Sequence, residues 1–303
     1  MSKTSNYPKP LIIPSPAAHK QTIIILHGRG STAEKFAEPL LTHPVSSTTS
    51  PTSLDISPNT ESTDTKTFQS YFSNTKFIFP TASLRRAVAY NRSLIHQWFD
   101  MFPLDAYPPE HKQNIQVKGL RESVKYVHGL LDEACKEVGG QNVVLMGLSQ
   151  GCATGLVSLL LWKGEKLGGF VGMCGWCAFR ERMLDAIVDV ENGEGNDDVF
   201  ERSGEEIVEE RKSKLEKAVE WLKEELEFEN ESRGSEVPLR DIPVFLSHGM
   251  EDERVPFKLG KLVAGILKDV GVDVTWSEYE GLGHWYSADM LKDIVQFVKG
   301  LED

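Results

Sequence analysis

Apolar and polar positions alternate in blocks along the chain, and the spacing inside each block predicts a strand or a helix. Short continuous apolar runs read as strands buried on both faces: "TIIIL" (22–26), "KFIF" (76–79), "VVLM" (143–146), "GGFVGMCG" (168–175) and "IPVFLSH" (242–248). "VDVTWSEY" (272–279) reads as one more strand. Between the strands the apolar positions fall at helical spacing. In "VKGLRESVKYVHGLLDEACKEV" they recur at 117, 120, 124, 127, 130, 131 and 134, and Gly139-Gly140 stops the run. Helices are also predicted over "STAEKFAEPLL", from about Gln150, over 256–269 and from about 286 to 301. Strands alternating with helices predict an α/β chain, a mostly parallel sheet covered by helices. A dinucleotide-binding fold is the rival at this level, but no G-x-G-x-x-G follows a strand.

Two segments break the alternation. Residues 43–67 hold 6 Ser, 7 Thr and 3 Pro in 25 positions, too little apolar surface to offset the entropy of ordering them. An insertion at about 43–75 is therefore expected to be disordered. The second segment, 181–240, contains the solvated loop "ENGEGNDD" and then "EEIVEERKSKLEKAVEWLKEELEF". There Val208, Leu215, Val219, Leu222 and Leu226 fall at helical spacing, predicting an amphipathic helix of about five turns or more. It reads equally as a cap over a binding site and as a helix packed on the main body with no part in chemistry. The expected organisation is a single domain, 1–303, carrying both insertions.

Composition changes this picture little. Hydrophobic residues make up 40% of the 303, enough for a sizeable core. No run approaches the roughly 20 apolar residues of a membrane-spanning helix. Near the N-terminus only Leu11–Ile13 is apolar, too short for a secretory signal, and four cysteines do not make a disulfide framework. The expectation is a soluble, cytoplasmic protein. The net charge of −12 is local: residues 181–240 carry 20 acids against 9 bases, and the remainder is close to neutral. That argues against nucleic-acid binding.

The candidate chemistry starts at "GLSQG" (147–151). A serine between two glycines, with a buried strand before it and a helix after it, predicts a sharp turn with Ser149 strained and exposed at its tip. Residues two before and two after the serine crowd together there, which explains Gly147 and Gly151. The bland alternative is a glycine-rich turn with an incidental serine. A serine hydroxyl needs a base, and the base needs an orienting acid; on such sheets the chain order is serine, acid, histidine. "GLGH" after strand 272–279 supplies His284, rather than His27 or His248 at strand ends. "HGMEDERVP" offers Glu251, Asp252 and Glu253, and spacing alone does not choose among them. An oxyanion formed on attack needs two backbone N–H groups, each worth roughly 3 kcal/mol of barrier. Gln150 follows the nucleophile, and Arg29 lies in the glycine loop "HGRG" after strand 22–26.

These stretches together resemble the acyl-protein thioesterase, or phospholipase/carboxylesterase, family of α/β-hydrolases. The match includes the Gln after the serine, "LHGRG", "FIFPTA" leading to "QWFD" (97–100), "HGMEDERVP" and "GLGH", in family order over roughly 20–180 and 241–302. The resemblance implies an α/β-hydrolase fold and hydrolysis of carboxylic esters and thioesters, including S-acylated proteins and lysophospholipids, without metal or organic cofactor. It implies Ser149, Asp252 and His284 as triad, Arg29 and Gln150 as oxyanion donors, and Trp98 as a wall of the acyl pocket or else a core tryptophan. Arg29 and Ser31 depart from the family's H-G-[apolar]-G-D loop, and Cys152 stands where a second glycine is usual. A cation beside the acyl path disfavours long chains.

Cys174-Gly-Trp-Cys177 matches the C-x-x-C of redox proteins, but it ends a late strand rather than opening an early helix, and no further clustered metal ligands are evident from sequence. The remaining rivals are a small-molecule carboxylesterase and a noncatalytic binding protein on the same fold.

Overall fold

Each continuous apolar run forms a strand of one sheet. The structure is a computed structural model and describes residues 7–45, 66–193, 213–228 and 238–301. In chain order the elements are β1 (Leu11–Ile13), β2 (Gln21–Leu26), α1 (Ala33–Leu41), β3 (Thr75–Phe79), β4 (Leu84–Ala87), β5 (Ser93–His96), α2 (Asn114–Val138), β6 (Val143–Leu148), α3 (Gln150–Leu160), β7 (Gly169–Met173), α4 (Arg180–Gly193), α5 (Lys214–Glu225), β8 (Val244–Gly249), α6 (Phe257–Asp269), β9 (Val274–Tyr279) and α7 (Ala288–Gly300). The sheet order is β1-β3-β2-β6-β7-β8-β9. Only β1 runs antiparallel, on the edge against β3. The mostly parallel α/β sheet is therefore as expected.

The period-2 alternation of β-strands divides the apolar side chains between two cores. Ile24, Leu26, Val143 and Leu145 face α2, α3 and α6. Ile23, Ile25, Val144 and Met146 face α1 and α7. Every residue of β2 and of β6 is buried, because helices cover both faces.

The topology also selects the site. After β2 the chain moves to one side of the sheet, to β3; from β6 onward it moves to the other, through β7, β8 and β9. The loops leaving the carboxyl ends of β2 and β6 thus diverge and leave a crevice between them.

The segments that broke the alternation fare differently. Of the serine/threonine-rich insertion, 46–65 lie outside the described residues. Residues 66–75 belong to the folded body: Pro44 bridges Thr67, and Phe68 and Phe72 are buried beside α1. In the acidic segment the amphipathic helix is shorter than five turns. It begins at Lys214 because Ser213 and Glu216 form a capping box, and it ends at Glu225. Val208 lies outside the described residues. Leu215, Val219, Leu222 and Leu226 are buried as the spacing predicts. They pack toward α2 and α4: Trp221 meets Phe179, Phe228 meets His128, and Arg182 pairs with Glu225 at 2.7 Å. Among the described residues no helix is long and apolar enough to cross a membrane.

Candidate active site

The turn after β6 is as tight as its glycines imply. Ser149 has φ 58° and ψ −121°, a conformation that costs a non-glycine residue about 1–3 kcal/mol. A Cβ on Gly147 would stand 2.5 Å from the Gly151 carbonyl, and one on Gly151 would stand 2.3 Å from the Leu26 carbonyl oxygen. No side chain fits at either position. The backbone closes because Ser149 N–H donates to the Met173 carbonyl at 2.8 Å. The hydroxyl then lies at the N-terminus of α3, where first-turn amides have no intrahelical acceptor.

Three residues far apart in sequence meet at this point. His284 Nε2 lies 2.8 Å from Ser149 Oγ, and its Nδ1 lies 2.7 Å from Asp252 Oδ2. Of the three adjacent acids, Asp252 is the buried one facing His284, while Glu251 and Glu253 are exposed. Asp252 Oδ1 accepts the backbone N–H groups of Arg254 and Val255, both at 2.9 Å. Burial raises the Asp252 carboxyl, but hydrogen bonds from His248 and His284 outweigh it. They hold the group well below the usual carboxylate range.

His248 is the residue that sequence reasoning passed over. It is fully buried, and its Nε2 lies 3.1 Å from Asp252 Oδ2 and 3.0 Å from the Val255 carbonyl. Both neighbours are acceptors, so Nε2 carries the proton and donates. The signal was the spacing in "HGMED", which returns position 252 beneath position 248 across the turn that ends β8.

The loop His27-Gly28-Arg29-Gly30 lies against the serine: a Cβ on Gly28 would be 3.5 Å from Ser149 Cβ. Neither the Arg29 nor the Gln150 backbone N–H has an acceptor among the described residues. Residues 96–101 cradle this loop from below. His96 accepts the Gly30 N–H at 2.8 Å, Trp98 Nε1 donates to the His27 carbonyl at 2.8 Å, and Arg29 Nη1 donates to the Met101 carbonyl at 3.1 Å. The His27 ring completes the clamp. Ala82 N–H donates to its Nε2, so Nδ1 carries the proton and donates to the Gly28 carbonyl at 2.7 Å. Burial holds that imidazole down at about 4.

Trp98 corrects an expectation. It is fully buried and does not line the cleft. Its indole needs a buried acceptor, and the His27 carbonyl supplies it, so the ring supports the loop from behind. The wall is made instead by Phe36, Leu104, Trp176 and Trp285, around a cleft of about 770 Å³ that contains Ser149 and His284. No described residue of 181–240 lines it. Glu181 and Arg180 reach an adjacent groove of about 530 Å³, which shares Leu104, Asp105 and Trp176 with the cleft.

Against this geometry, residues 57–192 and 221–301 match the phospholipase/carboxylesterase family. The chain belongs to that family. It is 27% identical to carboxylesterase SOBER1 of Arabidopsis thaliana over 246 residues, which are 81% of this chain and 85% of the relative. It is 24% identical to acyl-protein thioesterase 1 of Gibberella zeae over 292 residues, 96% of this chain and 94% of the relative. The crystal structure of Arabidopsis SOBER1 superposes with a TM-score of 0.59 at 25% identity, covering 93% of this chain and 99% of that one. That of Zea mays acyl-protein thioesterase 2 gives 0.64 at 20% identity, over 98% and 100% of the two chains, and supports the α/β-hydrolase fold. Family membership makes this chain a hydrolase of the esterase/thioesterase kind.

The cysteines sit inside this phospholipase/carboxylesterase framework as buried free thiols. Cys152 fills space against Gly172 and Gly175, where a Cβ would come within 2.6 and 2.2 Å of its sulfur. Burial pushes the Cys174 and Cys177 thiols up to about 12, the reverse of a reactive C-x-x-C. One group of metal-type ligand atoms does occur among the described residues: Cys174, Asp252 and His284 lie within 4.8 Å of one another. Its aspartate and histidine atoms already bond to each other.

Proposed function

We propose that this family member hydrolyses carboxylic esters or thioesters through a covalent acyl-enzyme on Ser149. The observation that carries the reading is the continuous relay from Ser149 Oγ through His284, at 2.8 Å, to Asp252, at 2.7 Å. His284 Nε2 accepts the hydroxyl proton as Oγ attacks the acyl carbon. The Arg29 and Gln150 N–H groups stabilise the oxyanion. His284 then gives the proton to the leaving thiol or alcohol. Water, deprotonated by the same nitrogen, displaces the acid and frees the serine. Asp252 keeps the imidazole's Nδ1–H facing it and stabilises the imidazolium.

The relatives' names point to acyl-protein thioesters or carboxylic esters as substrates, the family's description adds phospholipids, and the resemblance read from the sequence adds lysophospholipids. A small-molecule carboxylesterase is the second reading, and the charged side chains of Arg29 and Arg254 in the cleft wall favour it over a site for long apolar chains. Cytoplasmic residence belongs to the same proposal and rests on four cysteines without a disulfide.

The test is labelling by a fluorophosphonate probe, followed by a chain-length panel of esters and thioesters. Labelling lost in Ser149→Ala supports the mechanism; a folded wild-type protein that takes no label refutes it. A short-chain optimum with no thioester cleavage selects the small-ester reading.

A further inference from the structure

We propose that the cleft selects substrates carrying an anionic group, a carboxylate or phosphate, near the scissile ester or thioester, and that Arg29 and Arg254 bind it. The inference rests on the hydrolase reading above. Both arginines line the same cleft as Ser149 and His284. Arg29 is partly buried, with one guanidinium nitrogen tied to the Met101 carbonyl and the planar group over the Tyr90 ring at 5.1 Å. These contacts orient the cation without neutralising it. Arg254 is exposed, and its backbone is fixed two residues beyond the acid, where its N–H donates to Asp252 Oδ1.

Four of the described arginines outside the cleft are matched by carboxylates. Arg85 pairs with Glu122, Arg121 with Glu227, Arg180 with Glu181 and Arg182 with Glu225. Among the described residues neither Arg29 nor Arg254 has a carboxylate within 4.0 Å; Arg86, Arg92 and Arg240 share that property but lie outside the cleft. One acid, Asp105, also lines it. Two guanidiniums against one carboxylate leave a positive excess. An apolar acyl group would desolvate these cations without compensation, whereas a carboxylate or phosphate accepts the paired N–H groups that a guanidinium presents.

The experiment measures kcat/KM for matched pairs of esters: 4-nitrophenyl hemisuccinate against 4-nitrophenyl methyl succinate, and the acetate ester of 4-hydroxybenzoate against that of its methyl ester. The first pair places the anion on the acyl side and the second on the leaving group. At least a tenfold preference for the anionic member of one pair is expected. That ratio falls tenfold or more in Arg29→Leu, which keeps the backbone N–H, or in Arg254→Leu, and it rises in Asp105→Asn. Opposite signs for the basic and acidic substitutions would not follow from a structural role. Succinate binding to Ser149→Ala, by calorimetry, reads the anion site without turnover. If no ester is cleaved yet succinate binds and both leucine variants weaken it, the anion site stands and the hydrolase reading fails. If esters are cleaved with no anionic preference, or the ratio ignores all three substitutions, the anion inference is overturned and the hydrolase reading stands.

Discussion

The Gln150 carboxamide grips the backbone at Trp98 and Phe99 through two hydrogen bonds. Gln150 Oε1 accepts the Trp98 N–H at 3.0 Å, and Gln150 Nε2 donates to the Phe99 carbonyl at 2.7 Å. The residue after the nucleophile is thereby bolted to the same cradle that grips the loop of Arg29. Both proposed oxyanion donors are set by one network: Gln150 directly, and Arg29 through Trp98 and the His27 carbonyl.

Gln150→Ala keeps the backbone N–H but strands two buried backbone groups. Each costs about 1–3 kcal/mol when left unsatisfied. The variant is expected to lose stability by a few kcal/mol in urea unfolding. It should also lose one to two orders of magnitude in kcat with little change in KM, because misaligned donors weaken the transition state more than the ground state. A stable variant with wild-type kcat would show that the donors are positioned without this clamp.

His248 holds Asp252 at the same carboxylate oxygen as His284. His248→Phe keeps the ring but removes the donor, leaving one carboxylate lone pair and the Val255 carbonyl unmatched in a dry setting. The expected outcome is a five- to fiftyfold fall in kcat and a pH–rate profile displaced along the pH axis, since Asp252 loses one of the hydrogen bonds that hold it ionised. A profile identical in position and height to wild type would show His248 to be packing alone.

Most of the fold was legible because both faces of the sheet are covered. β2, β6, β7 and β8 read as solid apolar runs, and α2 carries helical spacing over whole turns. β4 and β5 were not legible: "LRRA" and "SLIH" form a two-stranded hairpin with Leu84 and Leu94 exposed, so no buried face imposes a pattern. The nucleophile turn could be read because Gly147 and Gly151 are demanded by backbone contacts. The choice of Asp252 over its neighbours rests on the family resemblance and not on spacing, because burial and the direction of His284 are tertiary facts. Sequence also leaves Trp98 open between pocket wall and core, for a related reason. "QWFD" marks the cradle, but sequence does not say which way an indole N–H points.

His27 gives the fold a pH dependence of known sign. Its folded value of about 4 lies below the ordinary 6.5, so between these values the unfolded chain binds a proton that the native state refuses. Stability is therefore intact above about pH 6.5, declines as pH falls toward 4, and levels off below that. The total loss is about 3 kcal/mol at roughly 1.4 kcal/mol per unit. Urea midpoints measured from pH 7 to 4.5 should fall steadily in wild type. His27→Gln, which does not titrate, should flatten the slope even if the variant starts less stable. An equal slope in both proteins would place the acid sensitivity in other groups.

Asp252→Asn tests the relay with little change of shape. The native carboxylate accepts from four donors: the N–H groups of Arg254 and Val255 at one oxygen, and His248 Nε2 and His284 Nδ1 at the other. An asparagine that keeps its oxygen toward the two backbone donors turns its own NH₂ toward both imidazoles. His248 Nε2 then meets donor with donor. His284 can accept only by moving its proton to Nε2, where it faces Ser149 and no longer serves as base. The flipped amide satisfies the histidines but strands the 254 and 255 amides. Either way the expected result is a fall in kcat of three to four orders of magnitude with KM nearly unchanged. Fluorophosphonate labelling should slow in parallel, because the same deprotonation of Ser149 limits it. Stability should drop most above the ordinary carboxylate range, where the ionised aspartate contributes, and converge with wild type in strong acid, since the depressed carboxyl loses its advantage only as pH falls through its folded value. Near-native turnover by Asp252→Asn at neutral pH would mean that His284 is oriented by something else, and the proposed acyl transfer mechanism would lose its acid.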